Sequence, residues 1–303
     1  MNQLQIIYTV LEYFLVFSFL GWCTEVVYQA ASKGLVINRG FLNGPVCPIY
    51  GFGVLAVFLM LQSISDEPFY EQNALVVFIF GVVLSTAIEL FGGWILDKAF
   101  HARWWDYSDR PFNLHGYICL QFSLMWGFAI LVVVRAVYPM LSHTLSYIPE
   151  RVGWVLIIIF SIVYCADFAV SVSVMIGLNK RMAELDEMQR KMRVVSNDLS
   201  DRIGSRTLET AKRVDEVKVQ AALAGAEARE AIEATKADTI AQFGERRSDL
   251  ADMRKQLEER RKALIDKILS SRHFGAGRLL RAFPDMKHRD HAEVVEMLRK
   301  MLQ

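Results

Sequence analysis

Five apolar stretches, residues 6–28, 45–61, 74–96, 115–138 and 152–178, decide most of what this chain can become. A bilayer core about 30 Å thick needs roughly 20 mostly apolar residues in a helix, because lipid offers no partner for an unpaired backbone group. The sequence therefore predicts an all-α, polytopic membrane protein with a five-helix transmembrane bundle. The second stretch is the shortest, and Pro45, Pro48, Gly51 and Gly53 interrupt its start. Its beginning reads as a broken or re-entrant helix end, with Pro45 opening the helix. The N-terminus lacks the basic region and small-residue cleavage site of a secretory signal, so the first segment is expected to stay as an anchor.

Charge divides the chain. Overall it carries 34 Lys+Arg and 33 Asp+Glu among 303 residues. Residues 1–178 hold 7 of the basic and 11 of the acidic groups, which leaves 27 and 22 for the rest. That split argues against a uniform soluble enzyme, against a fully intramembrane protein and against a nucleic-acid-binding role. Basic residues also orient the spans. Lys33 and Arg39 follow the first, Lys98, Arg103 and Arg110 the third, and Lys180 and Arg181 the fifth, whereas residues 63–73 carry Asp66, Glu67 and Glu71 with no Lys or Arg. The positive-inside rule predicts an outside N-terminus and a cytoplasmic C-terminus. Cys23, Cys47, Cys119 and Cys165 lack metal or redox spacing and read as small buried hydrophobes.

Ionisable groups at membrane depth cost several kcal/mol unless paired or hydrated, so each is a functional candidate. Depth gathers Glu25, Arg39, Asn43, Glu89, Asp97, Trp105, Asp106, Tyr107, Asn113 and His115 at the cytoplasmic half, as a polar pocket opening inward. A structural alternative is that Glu25 and Glu89 pair with Arg39, Arg103 or Arg110 to close the bundle. Arg135 reads as snorkelling or pairing with Glu12. Asp167 has no neighbouring base, and is expected either protonated or paired across helices. His115 reads as opening the fourth span. Residues 100–112 read as an interfacial helix or loop.

The connecting stretches have a character of their own. Phe19-Leu20-Gly21-Trp22-Cys23-Thr24-Glu25 is followed by Asn38-Arg39-Gly40-Phe41-Leu42-Asn43-Gly44-Pro45-Val46-Cys47-Pro48-Ile49-Tyr50-Gly51-Phe52-Gly53. Glu89, Trp104-Trp105-Asp106-Tyr107-Ser108, Asn113-Leu114-His115-Gly116-Tyr117-Ile118 and Trp126 complete the series. Over about residues 1–178 it resembles the bacterial membrane-protein family called ABC-transporter type IV, CmpB-like, or ABC-transporter permease. The resemblance implies a transport permease in a bacterial cytoplasmic membrane, served by a separate ATP-binding subunit. Arg39 is placed to hold a carboxylate or phosphate, and Asn43 adds an amide.

No Ser-His-Asp signature, nucleophile elbow or HExxH motif occurs, and Glu25, Glu89, Asp106 and His115 lack metal-ligand spacing on one helix. No cofactor or metal is expected. There is no GxxxxGK[ST] phosphate loop, and Gly275-Ala276-Gly277-Arg278 lacks its lysine. Three functions remain open: a permease-like protein binding a small polar or anionic solute or a lipid headgroup; a membrane scaffold or sensor; and an intramembrane enzyme with Glu89 or Asp106 as base and His115 as partner.

Three domains are expected, at 1–178, 179–272 and 273–303. From 179 to about 272 there is no proline, and apolar residues recur at steps of three and four, as in Leu185, Met188, Met192, Val195 and Leu199. This is a coiled-coil-like helical region. It must pair with a second copy, as a homo-oligomer, or fold back at Gly204, Gly225 or Gly244. Small residues Val217, Ala221, Ala224, Ala228 and Ala231 give its middle a thin seam. At the end, Asp290-His291-Ala292-Glu293 has capping-box character before a short amphipathic helix at 294–302. His273, His288 and His291 read as solvent-facing, and Arg278 to Phe283 as resting on headgroups or on the coiled coil.

Overall fold

The computed structural model describes the backbone of residues 3–34, 36–64, 66–223, 226–270 and 274–302, and the side chains of these except 32, 33 and 198–247. The molecule is 76% helical. Helix α1 spans Gln3–Lys33, α2 Pro48–Ser63 and α3 Ala74–Phe100. A loop region follows with three two-residue strands, β1 (Ala102–Arg103), β2 (Asn113–Leu114) and β3 (Ile118–Cys119). Helix α4 (Leu120–Val132) runs through a π-helical turn, Val133–Val137, into α5 (Tyr138–Leu145). Then come α6 (Glu150–Leu223), α7 (Ala226–Leu269), α8 (Ala276–Ala282), β4 (Lys287–His288) and α9 (Ala292–Lys300).

Four of these helical stretches are long and apolar enough to cross a membrane: Gln3–Ala31, Ala74–Phe100, Leu120–Leu145 and the apolar part of Glu150–Asn197. Helix α2 has 16 residues. At 1.5 Å per residue that is about 24 Å, short of the bilayer core. It begins at Pro48 behind Cys47 and not at Pro45, because residues 41–45 bend away first. One side of it is packed, with Val57 and Leu61 fully buried between its neighbours, while Phe52 and Leu59 stand more than half exposed. Phe91, Phe128, Phe160 and Ile162 are likewise more than half exposed on the longer helices, as a lipid-facing surface requires. Cys47 and Cys119 are buried as expected, but Cys165 lies on that exposed face.

Glycines set the closest helix approaches. A Cβ on Gly51 would strike the Ser18 hydroxyl and the Phe14 carbonyl of α1, and one on Gly127 would strike Val82 and Phe78 of α3. Removing the side chain there lets the backbones approach, as in small-residue membrane interfaces. Asn73 caps α3 by accepting from Leu75 N at 2.8 Å, and His101 ends it in the left-handed conformation with φ 54°.

The chain forms two compact units: residues 1–180 together with 268–303, and residues 181–267. In the second, the helical backbone runs unbroken through Gly204 and Gly244. Gly225, Ala224 and the side chains of the Val217–Ala231 seam lie outside the described residues. In the first, the C-terminal segment returns to the bundle through β4, which pairs antiparallel with β1, Ala102 opposite His288 and Arg103 opposite Lys287.

Candidate functional site

The connections α1–α2 and α3–α4 emerge at the same end of the helices, and most of the ionisable side chains gather there. In the first connection, the Asn38 carboxamide stitches the turn: its Oδ1 accepts from Gly40 N and from the Trp22 indole, and its Nδ2 donates to Asn43 O. The turn is anchored to α6 by Asp167. That carboxylate accepts from Asn43 N (3.1 Å), Asn43 Nδ2 (2.9 Å) and Gly44 N (2.7 Å), with Ser171 Oγ at 3.3 Å one helical turn on. Asp167 thus pairs with the α1–α2 turn, through backbone and amide donors, and not with a group on another helix. Asn43 is a holder of this turn, spending its amide on Asp167 and Ser171.

Arg39 projects from the turn to Glu25 of α1 at 3.6 Å and to Gln29 at 3.3 Å. Glu25 also accepts from Tyr50 of α2 at 2.6 Å. The Tyr50 ring meets the Trp126 ring edge-on at 5.4 Å, and Trp126 lies beside Glu89. Glu89 is buried on α3; its Oε1 accepts from Tyr107 at 3.0 Å, whereas its Oε2 makes no hydrogen bond of normal geometry. Two carboxylates, one guanidinium, two phenols and an indole therefore form one polar layer between α1, α2, α3 and α4.

Two turns further along α3, Asp97 accepts from Tyr117 at 2.5 Å and pairs with Arg103 at 3.5 Å. The Arg103 guanidinium lies 4.6 Å above the Tyr117 ring and donates to His115 O. Trp105 donates its indole N–H to Tyr117 O. Asn113 ties the β2–β3 hairpin, donating to Ser108 O and Arg110 O and accepting from Gly116 N. Gly116, at φ +75°, is required at the tip: a Cβ there would strike the Asp106 carboxylate. Asp106 accepts from Ser108 at 2.5 Å and from Lys287 at 2.7 Å. Burial opposes its ionisation, but Lys287 and Ser108 outweigh that and hold the carboxyl down at about 2.

Of the ten residues singled out by sequence, Glu25, Arg39, Glu89 and Tyr107 meet in the polar layer, and Asp97, Trp105 and Asp106 form the outer network around Tyr117, Arg103 and Lys287. Asn43 and Asn113 organise loops. His115 is a correction: helix α4 begins at Leu120, and His115 stands exposed in the hairpin at φ 51°, joining the network through its backbone carbonyl. Phe100 ends α3 and residues 101–112 form a strand and turns, the loop of the two alternatives. For Arg135 the pairing with Glu12 is corrected: the exposed guanidinium reaches out of the span to donate to Tyr70 O at 2.8 Å and to Gln72 O, while Glu12 accepts from Tyr8. These groups and the two open grooves of about 230 and 290 Å³ lined by Tyr8 and Glu150 belong to the opposite end.

Tyr50, Trp126, Asp167, Arg278 and Lys287 are the participants that sequence reasoning left out of the pocket. Asp167 and Ser171, four residues apart in an apolar span, were the available signal for one of them. Among the described residues, no group of three or more His, Cys, Asp or Glu side chains is arranged to hold a metal ion.

No curated protein and no solved structure matches the chain. A family model described as "Putative ABC-transporter type IV" matches residues 12–172, the stretch that contains the Asn38–Pro45 turn, the polar layer and Asp167. More than half of the sequence lies in that match, and the chain belongs to the ABC-transporter type IV family.

Proposed function

We propose that this protein is the membrane subunit of a transporter and that its polar layer binds a small polar or anionic solute or lipid headgroup. One observation carries the reading: Glu89 is buried among helices beside the Glu25–Arg39 pair, held only by the Tyr107 phenol and, outside normal hydrogen-bond geometry, by the Trp126 indole. A carboxylate so weakly met in a low-dielectric site costs free energy, and a hydroxyl, ammonium or proton delivered by a solute would recover it. Arg39, one face of which reaches Glu25, supplies the complementary charge for an anionic group.

The family supports the transport role, and the lack of a phosphate loop in this sequence calls for a separate ATP-binding subunit to power it. Loop charges support an orientation with the N-terminus outside and the polar layer and C-terminus facing the cytoplasm. Helix α2, too short to span unaided, counts in this reading as a fifth, partial crossing shielded by α1 and α3. The region 179–272 pairs copies of the chain, supported by the three–four apolar spacing.

The test is reconstitution in proteoliposomes with a co-encoded ATPase, following uptake of labelled phosphate, glycerol phosphate and amino acids. ATP-dependent flux of one class, lost in Glu89→Gln and Arg39→Ala with the fold intact, is expected. Flux that is unchanged in both variants would remove the polar layer from the pathway.

A further inference from the structure

Residues 274–302 are bound to the loop end at five points. Arg278 is buried and donates to Gly40 O and Phe41 O, both at 2.8 Å, on the turn that carries Arg39. The Phe283 ring meets Trp104 edge-on at 4.5 Å. Strand β4 adds to β1, Lys287 pairs with Asp106 at 2.7 Å, and Asp290 pairs with His101 at the end of α3. The segment therefore lies across both connections that frame the polar layer. None of the five contacts is a covalent or metal link.

His288 sits at the centre of this attachment. It is 3% exposed, in the ladder opposite Ala102, and its Nδ1 accepts from Asp290 N at 3.2 Å and from His291 N at 3.1 Å, organising the start of α9. An imidazole nitrogen that accepts two hydrogen bonds carries no proton. Protonation would set a third donor against those two, while Nε2 is buried without a partner. The groups around it are His291, stacked at 5.0 Å, Arg289 and Asp290 on its own segment, and His101 on the α3 side; Asp290 alone offers negative charge.

We infer that residues 274–302 form a proton-sensitive lid over the loop end, latched while His288 is neutral and released when His288 is protonated. Acceptance of the Asp290 and His291 N–H groups by Nδ1 and a proton on that same nitrogen cannot coexist. Burial first, then His291, lowers the His288 imidazole to about 4 from its ordinary 6.5. The sign follows: a base whose pKa is lowered in the latched state gives full latching above about pH 6.5, lost by up to tenfold per unit as pH falls toward 4. Asp290, held below its ordinary value chiefly by its hydrogen bond to His101, stays ionised across this range and keeps that attachment point. The Lys287–Asp106 pair persists throughout this range, because Asp106 stays ionised.

The lid depends on the proposed solute site only for what it covers, so its test reads exposure and not flux. Cys47 is 7% exposed at the start of α2, behind the turn that Arg278 holds. In the full chain with Cys23, Cys119 and Cys165 replaced by Ala, Cys47 is labelled with a dipyridyl disulfide, which reacts in acid, and each rate is normalised to glutathione at the same pH. The normalised rate is expected to rise at least tenfold from pH 7.5 to pH 5. His288→Asn, which keeps an acceptor at the Nδ1 position but cannot be charged, should stay slow at both. Arg278→Ala should be fast at both, and a disulfide between Arg103→Cys and Lys287→Cys should restore slow labelling at pH 5. A flat wild-type profile, or an equal rise in His288→Asn or in the cross-linked form, overturns the inference.

Discussion

Where α2 gives way to α3, Phe58 stacks on Phe69 at 4.3 Å, Tyr138 meets both, and Tyr13 and Phe17 close the cluster around Val57, Leu61, Val77 and Val134. At the other end the same helices are joined by Asp167, Arg39, Asp97 and Asp106, each bonded to a loop or to a distant segment. Aromatic packing needs only neighbours of the right shape and tolerates small shifts. Directional hydrogen bonds in a low-dielectric setting do not, because an unmet donor or acceptor there costs more than a met one gains. The aromatic end is suited to hold helices together, and the polar end to exist in two arrangements.

Asp167→Ala should break that contrast most severely. It strands Asn43 N, Asn43 Nδ2 and Gly44 N, and is expected to cost about 3 kcal/mol in detergent unfolding and to speed Cys47 labelling. Phe58→Ala should cost about 3 kcal/mol by leaving a cavity, yet leave Cys47 labelling unchanged; faster labelling would mean that the ends are not separable. Gly116→Ala, forced into φ +75° against Asp106, should cost about 1–2 kcal/mol. Lys287→Ala removes a largely exposed partner and should cost below about 1 kcal/mol, less in high salt. Its pH signature is distinct: a carboxylate lowered to about 2 keeps its contribution above the ordinary range near 4 and loses it only as pH falls toward 2.

Four of the five spans were legible in the sequence because apolar length is a local property, whereas the aromatic cluster joins residues from separate helices and was not. The turn at Asn38–Pro45, where Asn and Gly dictate the backbone, was legible too. Glu25–Arg39 followed from depth alone. The rest depends on separations that no spacing rule covers: Asp167 meets Asn43 across 124 positions, and Lys287 meets Asp106 across 181. His288 read as solvent-facing because a lone histidine in a charged segment usually is; burial beneath β1 reverses that. The spacing of Asp290 and Glu293 suggests a capping box, but Asp290 binds His101, and α9 opens at Ala292 without a side-chain cap from His291.

The π-helical turn at Val133–Val137 holds one residue more than an α-helix would place there. That surplus sets the angular phase of everything behind it. With it, Arg135 points at the carbonyls of residues 70 and 72 while Tyr138 faces Tyr13 at 5.3 Å. Regular α-winding with all five residues kept would turn α5 by about 100° and swing Tyr138 out of the aromatic cluster, whereas deleting Ala136 alone would let the helix wind regularly with Tyr138 still facing Tyr13. The wide turn thus works as a phase adjuster, taking up one spare residue so that the helical segments on either side keep their faces turned toward the same neighbours.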